Sequence, residues 1–360
     1  MPGEDVREAV KTVIGTFEEA PAGQGLPYLP ELPARGPGAD MIGRTAAMLV
    51  DVYARVEPSG WRVGDRPGRD TRRAKSWLGE DLDALEEFTQ GYRGPLKVQA
   101  VGPWTLAAAL ELRNGEVALS DPGACRDLAA SLAEGLREHV SEVCRRVPGA
   151  DVVLQLDEPS LTAVLRGQVR TASGYRRHPA VDRQLVAATL RDVLAATRTD
   201  EARARTDAAT GAPRTGGQPD APTDGTTGTD RDAHPVRTVV HSCAADVPFA
   251  LLRRAGADAV SFDATLLTER DDEAVGEAVE GGTRLFAGVV PSVDAPLSDP
   301  AGSVGGVRTL WRRLGLSPGL LAQTVVITPA CGLAGASPRY AREALAHCVR
   351  SARSLADNPE

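Results

Sequence analysis

Positive charge is scarce in this chain: 41 Lys and Arg face 49 Asp and Glu, leaving a formal charge of -8 over 360 residues. A surface that tracks phosphates needs a basic stripe, so nucleic acid is not an expected partner. Long apolar runs are also lacking. No stretch of about 18 apolar residues occurs, and the opening "MPGEDVREAVKTV" lacks the charged-then-apolar layout of a secretory signal, so no membrane partner and a cytoplasmic location are expected. Cysteine is sparse and odd in number, with five scattered along the chain. That pattern argues against a disulfide framework and for reduced thiols available to packing, metal or chemistry. Finally, no glycine fingerprint follows the first apolar run, which counts against a dinucleotide-binding open sheet.

What the chain does contain is a repeat of short apolar runs separated by Ala- and Leu-rich segments with helical spacing. Eight runs read as strands: 11–16 (KTVIGT), a weak one at 26–32 (LPYLPEL), 96–102, 151–157, 236–242, 258–263, 284–290 and 324–329. Helices are expected over 121–147, where Asp121 supplies a cap and Pro122 a first-turn proline, and over 178–198 and 337–356. Parallel strands alternating with helices predict an α/β chain folded as a single TIM (β/α)8 barrel. The segment 199–234 has no apolar period and reads as a disordered, low-complexity insertion within that barrel.

In such a barrel chemistry collects where strands end at their carboxyl side. The run "TVVHSC" ends with His241 and Cys243, which share a face because side chains at i and i+2 leave a strand on the same side. "DAVSFD" ends with Asp263, "VVITPACG" with Cys331, and "VVLQLDEP" with Asp157 and Glu158. Imidazole, two thiolates and a carboxylate are the donors Zn²⁺ takes in a tetrahedral set. A lone H-x-C also reads as a half-buried histidine beside a core cysteine, and Asp157 with Glu158 as a rim ion pair. Cys125, Cys144 and Cys348 fall within helical periodicity and read as packed thiols; His139, His178, His234 and His347 have no convergent partner.

Taken together, "IGTF" (14–17), "QLDEP" (155–159), "HSC" (241–243), "SFDA" (261–264) and "PACGL" (329–333) resemble, in order, the motifs of the carboxyl-terminal catalytic barrel of cobalamin-independent methionine synthase. The resemblance spans nearly the whole chain and one barrel only. It implies a zinc site made of His241, Cys243, Asp263 and Cys331, with Asp where the family has Glu. It also implies that Ile14, Gly15 and Thr16 contact the carboxylate of homocysteine and Asp157 its ammonium, with Asp157 and Glu158 as the catalytic acids. The implied activity is methyl transfer to a small thiol, homocysteine first among them, giving methionine. Several family features are missing. Ala109 stands where the folate-dependent enzymes carry tryptophan, Ala163 where an acid contacts folate, and no histidine occurs near Val293, where the family has its catalytic one. Transfer from methyl-tetrahydrofolate needs a proton at the leaving nitrogen, so a donor other than polyglutamyl folate, such as a corrinoid, is expected. The alternatives are a non-catalytic barrel that keeps zinc for structure, or an enzyme resembling uroporphyrinogen decarboxylase.

Overall fold

The computed structural model describes residues 1–18, 20, 25–210 and 238–359. Its centre is a parallel sheet of six strands in sequential order, β3 (Gly94–Val101), β4 (Ala150–Asp157), β5 (Thr238–Ser242), β6 (Ala259–Asp263), β7 (Arg284–Val290) and β8 (Val325–Pro329). Ahead of it lies an antiparallel hairpin, β1 (Tyr53–Glu57) and β2 (Gly60–Gly64), which the sequence reading did not expect. All six parallel strands coincide with expected runs to within about two residues, the scale on which strand ends are ordinarily uncertain.

The other two expected strands are corrected. Residues 11–16 belong to a helix, Val6–Glu18, because the six-residue run is part of a longer pattern in which Ala9, Val10, Val13 and Ile14 return every three or four residues to one buried face. The segment at 26–32 adds only a single bridge, Tyr28 to Lys97, beside β3. Its backbone does pair there, with Leu29 N donating to Lys97 O at 2.9 Å and Lys97 N to Pro27 O at 2.8 Å. Pro27 and Pro30 lack the N–H groups a longer ladder would need. The sheet is therefore a curled half-barrel, and among the described residues it is not the closed eight-stranded barrel of the sequence reading.

Helices cover the outer face. Pro122–Arg146 starts as expected, with the Asp121 carboxylate accepting from Gly123 N and Ala124 N. It buries Leu128, Leu132, Leu136, Val140 and Val143 on the stripe that a 3.6-residue period produces. Gly135 on that stripe lets the helix lie against the 41–49 region, since a Cβ there would sit 2.0 Å from Met48 O. The helix Arg183–Thr210 runs into the start of the expected insertion, while 211–234 lies outside the described residues. No helix among the described residues is long and apolar enough to cross a membrane.

The inner face of the sheet holds a separate small cluster of Val153, Val239, Ala259 and Phe286, with Leu26 and Val326 against it. Above it the interior is open, a cavity of about 750 Å³ that continues through the seam between β8 and the Tyr28 segment to the helix Pro338–Asp357. Gly135→Ala should lower stability by about 1–3 kcal/mol, the cost of forcing a methyl into a filled helix contact. A urea titration at fixed pH would show this as a lower midpoint with unchanged slope.

Candidate metal and substrate site

Because the strands are parallel, their carboxyl ends form one rim, and backbone pairing fixes which side chains share a level on it. Val101, Asp157, His241, Ser261, Phe286 and Val326 form a single row across the whole sheet, each paired with the next. Cys243 follows His241 by two residues on the same face, and Cys331 follows the end of β8. The donor atoms of His241, Cys243 and Cys331 all lie within 4.8 Å of one another, and the two sulfurs are 3.7 Å apart.

The electrostatics of this trio are those of a shared proton. Cys331, hydrogen-bonded to Cys243 and then to His241, is held well below the usual thiol range. Cys243 is pushed up by the same contact with Cys331 and by burial. The contact favours the thiolate at Cys331 over Cys243, and a soft cation requires both sulfurs deprotonated. His241 is buried, with Nδ1 2.9 Å from Ser261 Oγ. A partner on Nδ1 fixes the ring and leaves Nε2 as the nitrogen a metal would take. Two thiols and an oriented imidazole fit zinc, and three protein donors leave one tetrahedral position for another ligand.

Asp263 does not join them. Its carboxylate turns onto its own loop, accepting from Thr265 N at 2.9 Å and Thr265 Oγ1 at 2.6 Å. Asp157, one place along the row from His241, faces the cavity and accepts from Gln155 Nε2 at 2.7 Å. Burial raises its pKa, opposed by the nearby charges of His241 and Lys97.

Glu158 points the other way and is fully buried. Its carboxylate accepts from Trp104 N at 2.9 Å and from both Thr105 N and Thr105 Oγ1 at 2.7 Å, at the first turn of the helix Pro103–Ala109. Gly102 is required beside it, since a Cβ there would lie 2.4 Å from Glu158 Oε1. These bonds give Glu158 a framework role, and its side chain does not line the cavity, although it feels the charge of Asp157, which does.

The structure also separates Ile14, Gly15 and Thr16 from the rim. All three sit in the Val6–Glu18 helix, Ile14 within the core and Thr16 Oγ1 donating to Thr12 O at 2.7 Å. None of them lines the cavity. Of the family's folate positions, Ala109 and Ala163 lie in short helices and Val293 is exposed past β7, while Trp104 is buried with its Nε1 donating to Val186 O at 3.3 Å. Trp104 is thus unavailable for stacking on a ligand. Residues the sequence reading passed over are Ser261 and three polar side chains that line the cavity, Lys97, Gln99 and Gln155. Their signal was present, a polar residue at alternate positions of otherwise apolar strands, which marks the inner face.

The class defined so far is an α/β half-barrel with a soft-donor triad at the carboxyl rim of its parallel strands. No protein-family model matches the chain. No curated protein matches it either. Among solved structures it is similar to the B12-independent methionine synthase from Shewanella sp. W3-18-1 in complex with selenomethionine, with a TM-score of 0.56 at 13% identity over 98% of this chain and 88% of that one. At that identity the likeness is one of fold.

Burial pushes the Glu158 carboxyl up to about 7, so the folded chain binds a proton there more tightly than the unfolded chain does. The stability this contributes is present below the unfolded pKa of about 4.3 and is lost as pH rises through about 7. Chemical denaturation across pH 4 to 8 should show wild type losing ground to Glu158→Gln over that window; a pH-independent difference would contradict the assignment.

Proposed function

We propose that this chain is a zinc-dependent methyltransferase that acts on a small thiol, homocysteine being the acceptor that best fits, with methionine as product. The observation that carries the reading is the convergence of His241, Cys243 and Cys331 within 4.8 Å at the rim of a cavity that also contains Asp157. The fold it shares with a methionine synthase, whose solved complex holds selenomethionine, supports the same reading.

His241, Cys243 and Cys331 would hold the ion, with Asp263 kept out by its bonds to Thr265. When bound, zinc supplies Lewis acidity that lowers the pKa of a coordinated thiol, so that sulfur is nucleophilic at neutral pH. The chain's own residues do the rest. Ser261 keeps the imidazole in the orientation that faces the thiols. Asp157, held by Gln155, presents a carboxylate for the acceptor's ammonium, which fixes the approach of the sulfur relative to the donor. Phe286 and Val326 line the same cavity and give that approach an apolar wall.

A methyl donor whose leaving group needs no proton suits this rim. The loop after β7 offers the exposed Val293 and no histidine, and Trp104 is locked in the core. A corrinoid meets that condition and methyl-tetrahydrofolate does not.

The purified protein should contain about one zinc per chain, and Cys331→Ser should lose most of it. Methylcobalamin with homocysteine should yield methionine, whereas methyl-tetrahydrofolate should not. Absence of zinc from protein prepared under reducing conditions would overturn the reading, and turnover with the folate would overturn the donor assignment.

A further inference from the structure

We propose that Lys97 is the carboxylate anchor of the acceptor, so that Lys97 and Asp157 together form a zwitterion clamp specific for an α-amino-acid thiol. The inference rests on the thiol-acceptor reading and names the groups that select its substrate. Ile14, Gly15 and Thr16 lie in the Val6–Glu18 helix and none of them lines the cavity, which leaves the carboxylate contact open to another group.

Lys97 stands on the inner face of β3 and lines the same cavity as Asp157, His241 and Cys331. Among the described residues its ammonium has no ion pair; it lies over the Tyr28 ring, 5.1 Å from the centroid. Such a charge in an enclosed space is costly unless a ligand completes it. Burial lowers its pKa and the charges of Asp157 and Glu31 oppose that, so both acids lie within electrostatic reach of the Lys97 amine. Glu31, the other acid that Lys97 feels, lies 3.6 Å from the Arg44 guanidinium and is also held by Gln99. Asp157, level with His241, is the acid nearer the metal donors and so the one placed to meet the acceptor's ammonium.

A further group points to a ligand. Gln99, one inner-face position along β3 from Lys97, is only 8% exposed and donates through Nε2 to Leu29 O at 2.7 Å. Its Oε1 has no partner among the described residues. A buried acceptor facing a cavity is satisfied by a donor from the occupant, and an α-ammonium has three protons to share between Gln99 and Asp157. Two further cations line the cavity: Arg284, level with Gln99 and Gln155 but four strands away from Lys97 on β7, and the terminal ammonium of Met1, which donates to Glu31 O at 2.6 Å; the positive charges that Asp157 feels are His241 and Lys97. The clamp is neutral when empty and again when filled, since a zwitterion brings one charge of each sign.

Binding to the zinc-loaded protein, followed by titration calorimetry, tests this with three thiols: L-homocysteine, 4-mercaptobutanoate, which lacks the ammonium, and 3-aminopropanethiol, which lacks the carboxylate. Lys97→Met should weaken homocysteine and 4-mercaptobutanoate roughly 10- to 100-fold, the loss of a hydrogen bond to a charged group, and leave 3-aminopropanethiol unchanged. Asp157→Asn should do the reverse, weakening the two amines and sparing the acid. Lys97→Arg, which keeps the charge, should recover part of the loss, and unchanged 3-aminopropanethiol binding shows that the variant is folded. Equal losses for all three thiols in Lys97→Met, or no loss for any, would overturn the clamp while leaving the methyltransferase reading standing. Failure of wild type to bind any of the three would overturn both.

Discussion

Everything at the rim depends on the curl of one sheet. Cys243 and Cys331 follow the ends of β5 and β8, which are separated by β6 and β7. On a flat sheet, three strand spacings of about 4.8 Å would hold those ends roughly 14 Å apart. The sulfurs are 3.7 Å apart. Twist between parallel strands, together with helices packed on the convex side, folds the two ends toward each other and makes a donor cluster from residues 88 positions apart in the chain. The cavity is the same curvature seen from inside, which is why donors and cavity meet at one place.

Much of this was legible in the residues, and the rest was hidden for identifiable reasons. Continuous apolar runs such as "VVLQLD" and "TVVHS" locate buried parallel strands, and a strand's last residues are where polar side chains can be tolerated, so His241, Cys243 and Cys331 could be singled out together. Asp263 satisfied the same criterion and still turned away. Short-range competition decided it, because a threonine two residues on offers two donors to an Asp, and position alone does not reveal that. "KTVIGT" was misread because six apolar-rich residues fit either a strand or one and a half turns of helix, and only the flanking Val6 to Phe17 spacing separates them. The hairpin at 53–64, with its alternation on either side of Pro58, Ser59 and Gly60, carried a signal that was overlooked.

The inner face has a chemistry of its own, arranged in rows. The row containing Asp157 and His241 lies at the rim, and Gln99, Gln155 and Arg284 sit one step down, with Lys97 below them. A barrel interior is usually filled with branched apolar side chains. Here the apolar filling is reduced to a small cluster, and polar groups of both signs occupy the remainder. The His241, Cys243 and Cys331 donors and Asp157 thus lie at the rim, with Gln99, Gln155, Arg284 and Lys97 beneath them along one axis.

Glu158 ties this rim into a single piece. Its N–H donates to His241 O at 2.7 Å while its carboxylate grips the first turn of the helix that begins at Pro103. Three consecutive strand ends are therefore stitched by one residue that never meets the cavity. Amides at Gly102, Trp104, Thr105 and Glu158 should then exchange with deuterium as one cooperative unit rather than fray individually. A substitution that loosens the Pro103 turn would reach His241 through its backbone carbonyl, so the stiffness of a buried acid and a helix turn sets how firmly the imidazole is held.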